Sequence, residues 1–265
     1  VFNILLMKYL YKNKTRKKPF FSVITVVKND EKNINKTIKS IKQQTFKNYE
    51  YIIIDGASKD KTLNVIKKNK IFNILISEKD NGIYHAMNKG IRVSKGNVIL
   101  FVNSGDTITK NALKIVNKIF NKKIISYVFG TVLRHYKTGS ILKHNYNFNR
   151  IKYNFDFATS HSTGFFLRKK VYKEIGLYNN KFKCSADYDL YFRLFRKNLK
   201  GSATKKSDLI GVVASGGYSS KLSFFDHLIE ETKIRIHNNQ KILFIIILVI
   251  NSIFKNIIKR FRDLF

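Results

Sequence analysis

The sequence predicts an α/β fold on a mostly parallel, Rossmann-like sheet flanked by helices. Two observations carry that expectation. Short β-branched runs alternate with stretches of helical periodicity from Phe20 onward, and strands alternating with helices build parallel sheets covered on both faces. The residues closing each apolar run are also unusually polar, as expected where ligands bind beyond the carboxyl ends of such strands.

The first strand is Phe21 to Val27, followed by a helix over Ile34 to Gln44, a strand over Tyr51 to Ile54 and a helix over Thr62 to Asn69. Ile74 to Ser77 is the next strand, Ile83 to Val93 the next helix, and Val98 to Val102 a strongly apolar strand stopped by Asn103-Ser104-Gly105-Asp106. Past about Gly130 the alternation fades into an aromatic stretch with Tyr136, Tyr146, Phe148, Tyr153, Phe155 and Phe157. Ser160-His161-Ser162 and an apolar strand at Phe165-Phe166-Leu167 follow. Leu190, Leu194 and Phe195 recur at helical spacing within Ala186 to Arg196, and Gly211 to Ser220 is glycine- and serine-rich, as in a mobile loop. The expected organisation is a basic N-terminal segment (1–19), a first lobe (20–130), a smaller second lobe (131–220) and a helical C-terminal segment (221–265).

At 265 residues and 44% hydrophobic content, the chain can bury a sizeable core. Lysine and arginine outnumber aspartate and glutamate by 51 to 17, a formal charge of +34, which attracts phosphate-bearing partners. Charge alone does not choose among nucleotide, anionic lipid and nucleic acid. Acidic residues at three strand ends repel a polyanion, so no nucleic-acid partner is expected; a basic nucleic-acid-binding protein without catalytic activity is the alternative reading. The single cysteine, Cys184, leaves no intrachain disulfide and no cysteine-built zinc site, which fits a reducing compartment. Val1 to Leu10 is apolar but brief and runs into Lys12, Lys14, Arg16, Lys17 and Lys18, so no secretory signal and a cytoplasmic location are expected.

Near the end, Leu222 to Asn238 is polar and helical, and Ile242 to Ile250 is continuously apolar, with Lys255, Lys259, Arg260 and Arg262 beyond. The apolar run is shorter than the roughly 20 residues that span a bilayer. Two readings stay open: a helix packed on the protein, or an interfacial anchor whose basic flank favours an anionic membrane surface. The second places the chain peripherally at the inner face of the cell membrane.

Four segments occur in order: Val23-Ile24-Thr25-Val26-Val27-Lys28-Asn29, Ile54-Asp55-Gly56-Ala57-Ser58-Lys59-Asp60-Lys61-Thr62, Asn103-Ser104-Gly105-Asp106 and Ser185-Ala186-Asp187-Tyr188-Asp189-Leu190. Over roughly Phe20 to Ser220 this set resembles the family 2 glycosyltransferases of GT-A fold. The link from Glu78 through Asp80-Asn81-Gly82-Ile83-Tyr84-His85 to Asn88-Lys89-Gly90 is similar to the branch containing colanic-acid and other polysaccharide-building transferases. The resemblance implies inverting transfer of a sugar from a UDP- or GDP-linked donor to a glycan or lipid-linked acceptor, in cell-surface polysaccharide biosynthesis. It places the donor on the first lobe and the acceptor on the second.

It also implies residue roles. Thr25, Val27, Asn29, Asp55, Asp80, Asn88, Lys89, Ser104, Asp106 and His161 are expected around the nucleotide sugar. Asp55 follows a buried strand and precedes a glycine, so its carboxylate can read a base edge, or else cap the turn with Ser58 and Asp60. Asp106 can hold a divalent cation, Mg2+ or Mn2+, against the diphosphate, or stabilise the Ser104-Gly105 turn. The family pattern has two or three aspartates there and this chain has one. Asp187 matches the catalytic base, with Ala186 replacing the acidic neighbour usual before it, and Asp189 is the alternative helix cap.

Overall fold

The computed structural model describes residues 9–12, 18–136, 138–144, 162–217 and 222–262. The chain opens with β1 (Tyr9–Lys12), β2 (Phe21–Val27), α1 (Ile34–Lys42), β3 (Tyr49–Asp55), α2 (Thr62–Asn69), β4 (Ile74–Ser77), α3 (Ile83–Val93) and β5 (Val98–Phe101). Next come β6 (Thr107–Ile108), α4 (Ala112–Phe120), β7 (Tyr127–Phe129), β8 (Thr131–Tyr136) and β9 (Gly139–Lys143). A 3-10 turn (Ser162–Gly164) leads into β10 (Phe165–Arg168), α5 (Val171–Ile175), α6 (Ala186–Arg196), β11 (Gly201–Ala203) and β12 (Leu209–Val213), and the helices α7 (Phe224–His237) and α8 (Ile242–Arg262) close the described chain.

Eight strands form the main sheet in the order β1-β4-β3-β2-β5-β10-β7-β11. Its centre is parallel: β2 pairs with β3 and β5, and β3 with β4, all in one direction. Every residue of β2 is buried, and side chains alternate between two cores as period-two geometry requires. Ile24, Val26, Ile52, Ile54, Ile99 and Phe101 join α3 and α6 on one face. Val23, Ile53, Leu75, Val98 and Leu100 join α1, α2 and α4 on the other.

At the amino ends of these strands sits a buried polar knot. The Ser22 hydroxyl donates to Glu50 Oε1 at 2.6 Å, and the Gly96 N–H lies 2.9 Å from Ser22 Oγ and 3.0 Å from the same Glu50 oxygen. The knot satisfies a carboxylate that would otherwise be buried alone, and it fixes the turn from α3 into β5.

Beyond β5 the structure departs from simple alternation. β10 enters the main sheet antiparallel between β5 and β7, so the chain after residue 161 completes the sheet begun by residues 21–101. A second sheet, β6-β12-β8-β9, leans on it. The expected mobile loop from Gly211 is in its first part the strand β12, parallel to β8. Gly211 is needed there for closeness rather than motion, because a Cβ would lie 2.9 Å from the Thr107 carbonyl oxygen and 2.7 Å from Thr163 Cγ2.

Gly96 is confined in the same way, since a Cβ would fall 2.5 Å from Ser22 N. Gly96→Ala is therefore expected to destabilise the fold by about 1–3 kcal/mol. A urea midpoint unchanged from that of the parent chain would show that the knot yields freely.

Candidate functional site

Because β2, β3, β4 and β5 run parallel, their carboxyl ends open on the same side of the sheet. Those ends carry Lys28-Asn29-Asp30, Asp55-Gly56, Glu78-Lys79-Asp80 and Asn103 to Asp106. The chain between strand and helix zips neighbouring ends together. The Asn29 N–H donates to Ser58 Oγ and the Lys59 N–H to Asn29 Oδ1, both at 2.8 Å. The Asp30 N–H donates to Thr62 Oγ1 at 2.8 Å. On the other side of β2, the Ser104 hydroxyl donates to Asp30 Oδ2 at 2.6 Å. Asn29 and Ala57 take left-handed backbone at φ 51° and 55°, which turns both loops sharply away from the strand ends.

Asp55 is fully buried. Its Oδ1 accepts from the Ser58 hydroxyl at 2.5 Å, and its Oδ2 accepts from the Ser77 hydroxyl at 2.6 Å and the Ser58 N–H at 3.1 Å. The capping alternative is thus realised with Ser58, while Asp60 instead accepts from the N–H groups of Thr62 and Glu31. Asp80 lies over the same strand end, its Oδ2 3.2 Å from where a Cβ on Gly56 would sit. Lys89 pairs with Asp80 Oδ1 and Glu78 Oε1, each at 2.7 Å.

Several residues expected around the donor are held by internal contacts. Lys89 is buried between those two carboxylates, so its charge is already neutralised. Asn88 is buried and clasps the 178–180 segment: it donates to the Tyr178 carbonyl at 2.8 Å and to Asn180 Oδ1 at 2.9 Å, and accepts from the Tyr178 N–H at 3.0 Å. The Thr25 hydroxyl, also buried, donates to the Val102 carbonyl at 2.7 Å and accepts from Tyr51 at 3.0 Å. Val27 packs in the core on the α1 face. These positions shape the crevice from behind. His161 lies outside the described residues, as do all the expected second-lobe aromatics except Tyr136.

At the β5 end, Asp106 binds two separate segments. Its Oδ1 accepts from the Ala214 N–H at 2.9 Å and its Oδ2 from the Thr163 hydroxyl at 2.8 Å. Asn103 Nδ2 donates to Ser162 Oγ at 3.1 Å, while Asn103 Oδ1, like Asp80 Oδ2, is a buried acceptor with no hydrogen-bond partner among the described residues. Buried acceptors of this kind are uncommon, and both stand at the carboxyl ends of the parallel strands.

Asp187 stands in the first turn of α6. Its Oδ1 accepts from the Tyr188 N–H at 2.9 Å and lies 3.3 Å from the hydroxyl of Tyr84, which donates to the Cys184 carbonyl at 2.7 Å. Tyr84 belongs to α3, which starts directly after the Asp80 loop, so this contact brings the Asp187 turn to the sheet crevice. Burial, reinforced by the Asp187 charge, pushes the Tyr84 phenol well above its ordinary value of 10, so it stays a proton-bearing donor. Asp189 is separately occupied. It is buried, holds Arg193 at 2.8 Å and accepts from Asn238 Nδ2 at 2.9 Å, which makes it a structural tie between α6 and the end of α7.

Two residues invisible as site residues in the sequence hold this turn: Tyr84 and Glu230. Glu230 reaches across from α7 and accepts from the N–H groups of Lys183, Cys184 and Ser185 and from the Cys184 thiol. A carboxylate facing backbone N–H groups at a helix start is favoured by the helix dipole as well. Partial burial pushes the Glu230 carboxyl up, but these donors outweigh it and hold the group below its ordinary value of 4.5. Burial, and then the Glu230 bond, pushes the Cys184 thiol up to about 12, leaving it protonated as the donor.

A depressed carboxyl adds stability that is complete above the unfolded value of 4.5 and is lost as pH falls through the lower folded value. Glu230→Gln is accordingly expected to remove about 1 kcal/mol at pH 7, a hydrogen-bond figure kept small for a half-exposed group. The difference should shrink at pH 3. Urea melts of both proteins at the two pH values read this directly, and equal losses would assign the effect to shape rather than charge.

Comparison with known proteins places this architecture. The pattern of the Glycosyl transferase family 2 matches residues 22–193, more than half of the chain. An uncharacterized glycosyltransferase of Mycobacterium tuberculosis is 37% identical over 90 residues, 33% of this chain and 34% of the relative. A PGL/p-HBAD biosynthesis glycosyltransferase of Mycobacterium bovis is 32% identical over 94 residues, 34% of this chain and 37% of the relative. The matched part thus spans about a third of each relative's length. Among solved structures, S. aureus TarS residues 1–349 in complex with UDP-GlcNAc superposes with a TM-score of 0.66 at 20% identity, covering 82% of this chain and 65% of that one. A mannosyltransferase from Pyrobaculum calidifontis in complex with GDP-Man and Mn2+ gives 0.63 at 13%, covering 93% and 72%. At such identities the structures speak for the fold, which is GT-A. With the family pattern running from β2 through the Asp187 turn to Arg193, the chain belongs to glycosyl transferase family 2.

Proposed function

We propose that the chain is an inverting glycosyltransferase that takes a sugar from a nucleoside diphosphate donor, UDP- or GDP-linked, to a glycan or lipid-linked acceptor in cell-surface polysaccharide synthesis. One observation carries the reading: four parallel strand ends lined with oxygen acceptors meet the Asp187 turn through Tyr84. The unpartnered acceptors Asp80 Oδ2 and Asn103 Oδ1 suit the hydroxyl and N–H groups of a nucleotide sugar. The neighbours in complex with UDP-GlcNAc and GDP-Man support a donor of this class.

In the transfer, Asp187 takes the proton of the acceptor hydroxyl. The oxygen attacks the anomeric carbon, the bond to the diphosphate breaks, and the nucleoside diphosphate leaves with the electron pair. Attack from the face opposite the leaving group inverts the centre. General-base assistance of this kind contributes roughly a hundredfold or more. Tyr84, kept protonated, steadies the carboxylate that must accept the proton. Beside Tyr84 opens a small cavity lined also by Asn81, Gly82, Asn180 and Lys183.

A divalent cation fits the β5 end only in company with the donor. Asp106 and Asn103 Oδ1 are hard oxygen donors there, yet no group of three acidic, histidine or cysteine side chains is placed to hold a metal among the described residues. Mg2+ and Mn2+ would therefore be held by Asp106 together with diphosphate oxygens, and magnesium commonly binds with few protein ligands. The cation would supply positive charge against the leaving diphosphate. Chelation with EDTA is expected to abolish turnover and to weaken donor binding, both restored by Mn2+. Full turnover in EDTA would assign that charge neutralisation to the basic side chains instead.

The decisive measurement is release of nucleoside diphosphate from a panel of nucleotide sugars. Asp187→Asn is expected to reduce turnover at least a hundredfold while donor affinity stays within a few-fold. Loss of donor binding would make the residue part of the donor pocket. No turnover with any donor, together with tight, steeply salt-dependent binding to generic DNA, would favour a nucleic-acid-binding protein.

A further inference from the structure

The end of the chain leaves apolar surface in the open that the core does not use. α8 packs against α7 through one side, with Ile245 buried. Its other side exposes Leu243, Ile247, Ile250, Phe254 and Ile257, between 45% and 69% exposed. Their spacing, i, i+4, i+7, i+11 and i+14, places them on one stripe of the helix. α7 shows a shorter stripe of its own, with Phe225, Ile229 and Ile236 also exposed.

We propose that the stripe of α8 lies flat in the interface of an anionic lipid bilayer, with the basic residues of the same helix against the headgroups. Charge decides among possible occupants. From Ile242 to Arg262 the helix carries Lys255, Lys259, Arg260 and Arg262 and no acidic residue. Angular positions at 100° per residue put the exposed Lys255 on the polar side, away from the stripe. A second copy of a chain with a formal charge of +34 would set cation against cation across the contact, whereas anionic headgroups neutralise these residues, each Lys or Arg near such a surface adding about 1 kcal/mol. No helix among the described residues is long and apolar enough to cross a membrane. The second half of α8, with Asn251, Ser252, Lys255 and Asn256, is amphipathic rather than spanning.

The site of docking is also placed to matter. α7, the partner of α8, carries Glu230, which grips the turn before α6, and Asn238, which bonds Asp189. A bilayer holding this helix pair therefore holds the Asp187 turn close to its surface. Docking itself does not depend on the transferase reading and is tested apart from activity.

The full chain is mixed with vesicles of phosphatidylcholine containing 30% phosphatidylglycerol, a composition on the order of the anionic surfaces such helices recognise, and sedimented. Binding is expected, weaker on pure phosphatidylcholine, and at least tenfold weaker for the double variant Ile247→Glu/Phe254→Glu. These side chains are exposed, so the variant is expected to keep the parent's circular dichroism and melting temperature, which are checked first. Should that variant unfold, Ile250→Gln takes its place with a several-fold loss expected. Equal binding by variant and parent would reduce the effect to general charge adsorption and overturn the proposal. So would absence of binding at low salt, or a concentration-dependent dimer dispersed by the same substitutions.

Discussion

Parallel pairing of β2 with β3 on one side and β5 on the other is the constraint on which the rest of this chain depends. It requires helical crossovers over both faces, which is why β2 is buried along its whole length. It also forces every strand-to-helix loop to leave from the same side. A backbone paired this way leaves little freedom about where a polar ligand meets the protein: only there do several loops converge with side chains not committed to the core. The opposite end is sealed by the Ser22–Glu50–Gly96 knot.

Electrostatics reinforces the placement. In a chain this basic, carboxylates are scarce, and many of them stand at or near the strand ends and the Asp187 turn. Most are held by hydroxyl or N–H donors, as at Asp55, Asp30 and Asp106, or by a buried cation, as at Asp80 with Lys89. Such partners keep negative charge tolerable away from water. The large excess of lysine and arginine attracts phosphate-bearing molecules to the protein over long range, an effect that salt weakens.

The turn bearing Asp187 is a product of distant chain segments. α3 supplies Tyr84 from one side, and Asn88 clasps the 178–180 segment that leads towards the turn. α7 supplies Glu230 from the other side, more than forty residues downstream. None of these contacts is local, and each acts on backbone rather than on the carboxylate alone. The geometry of the Asp187 turn is thereby coupled to the packing of the C-terminal helices, and these carry the exposed stripe of α8.

By itself the sequence determined the alternation of β2 through β5, the identity of the polar strand ends and the helix starting at Ala186. All of these rest on local periodicity and on residues adjacent in the chain. It also carried the spacing that marks the family. Tertiary structure alone decided that β10 enters the main sheet antiparallel, that Gly211 lies in a strand rather than a loop, and that Asn88 and Lys89 are buried against the 178–180 segment and between Glu78 and Asp80. It likewise separated Asp187 from Asp189, two carboxylates equivalent by position in one helix turn, because Arg193 and Asn238 occupy only the second. The reason is common to each case: a side chain's role is set by what packs beside it across tens of residues, and that pairing leaves no periodic trace in the chain.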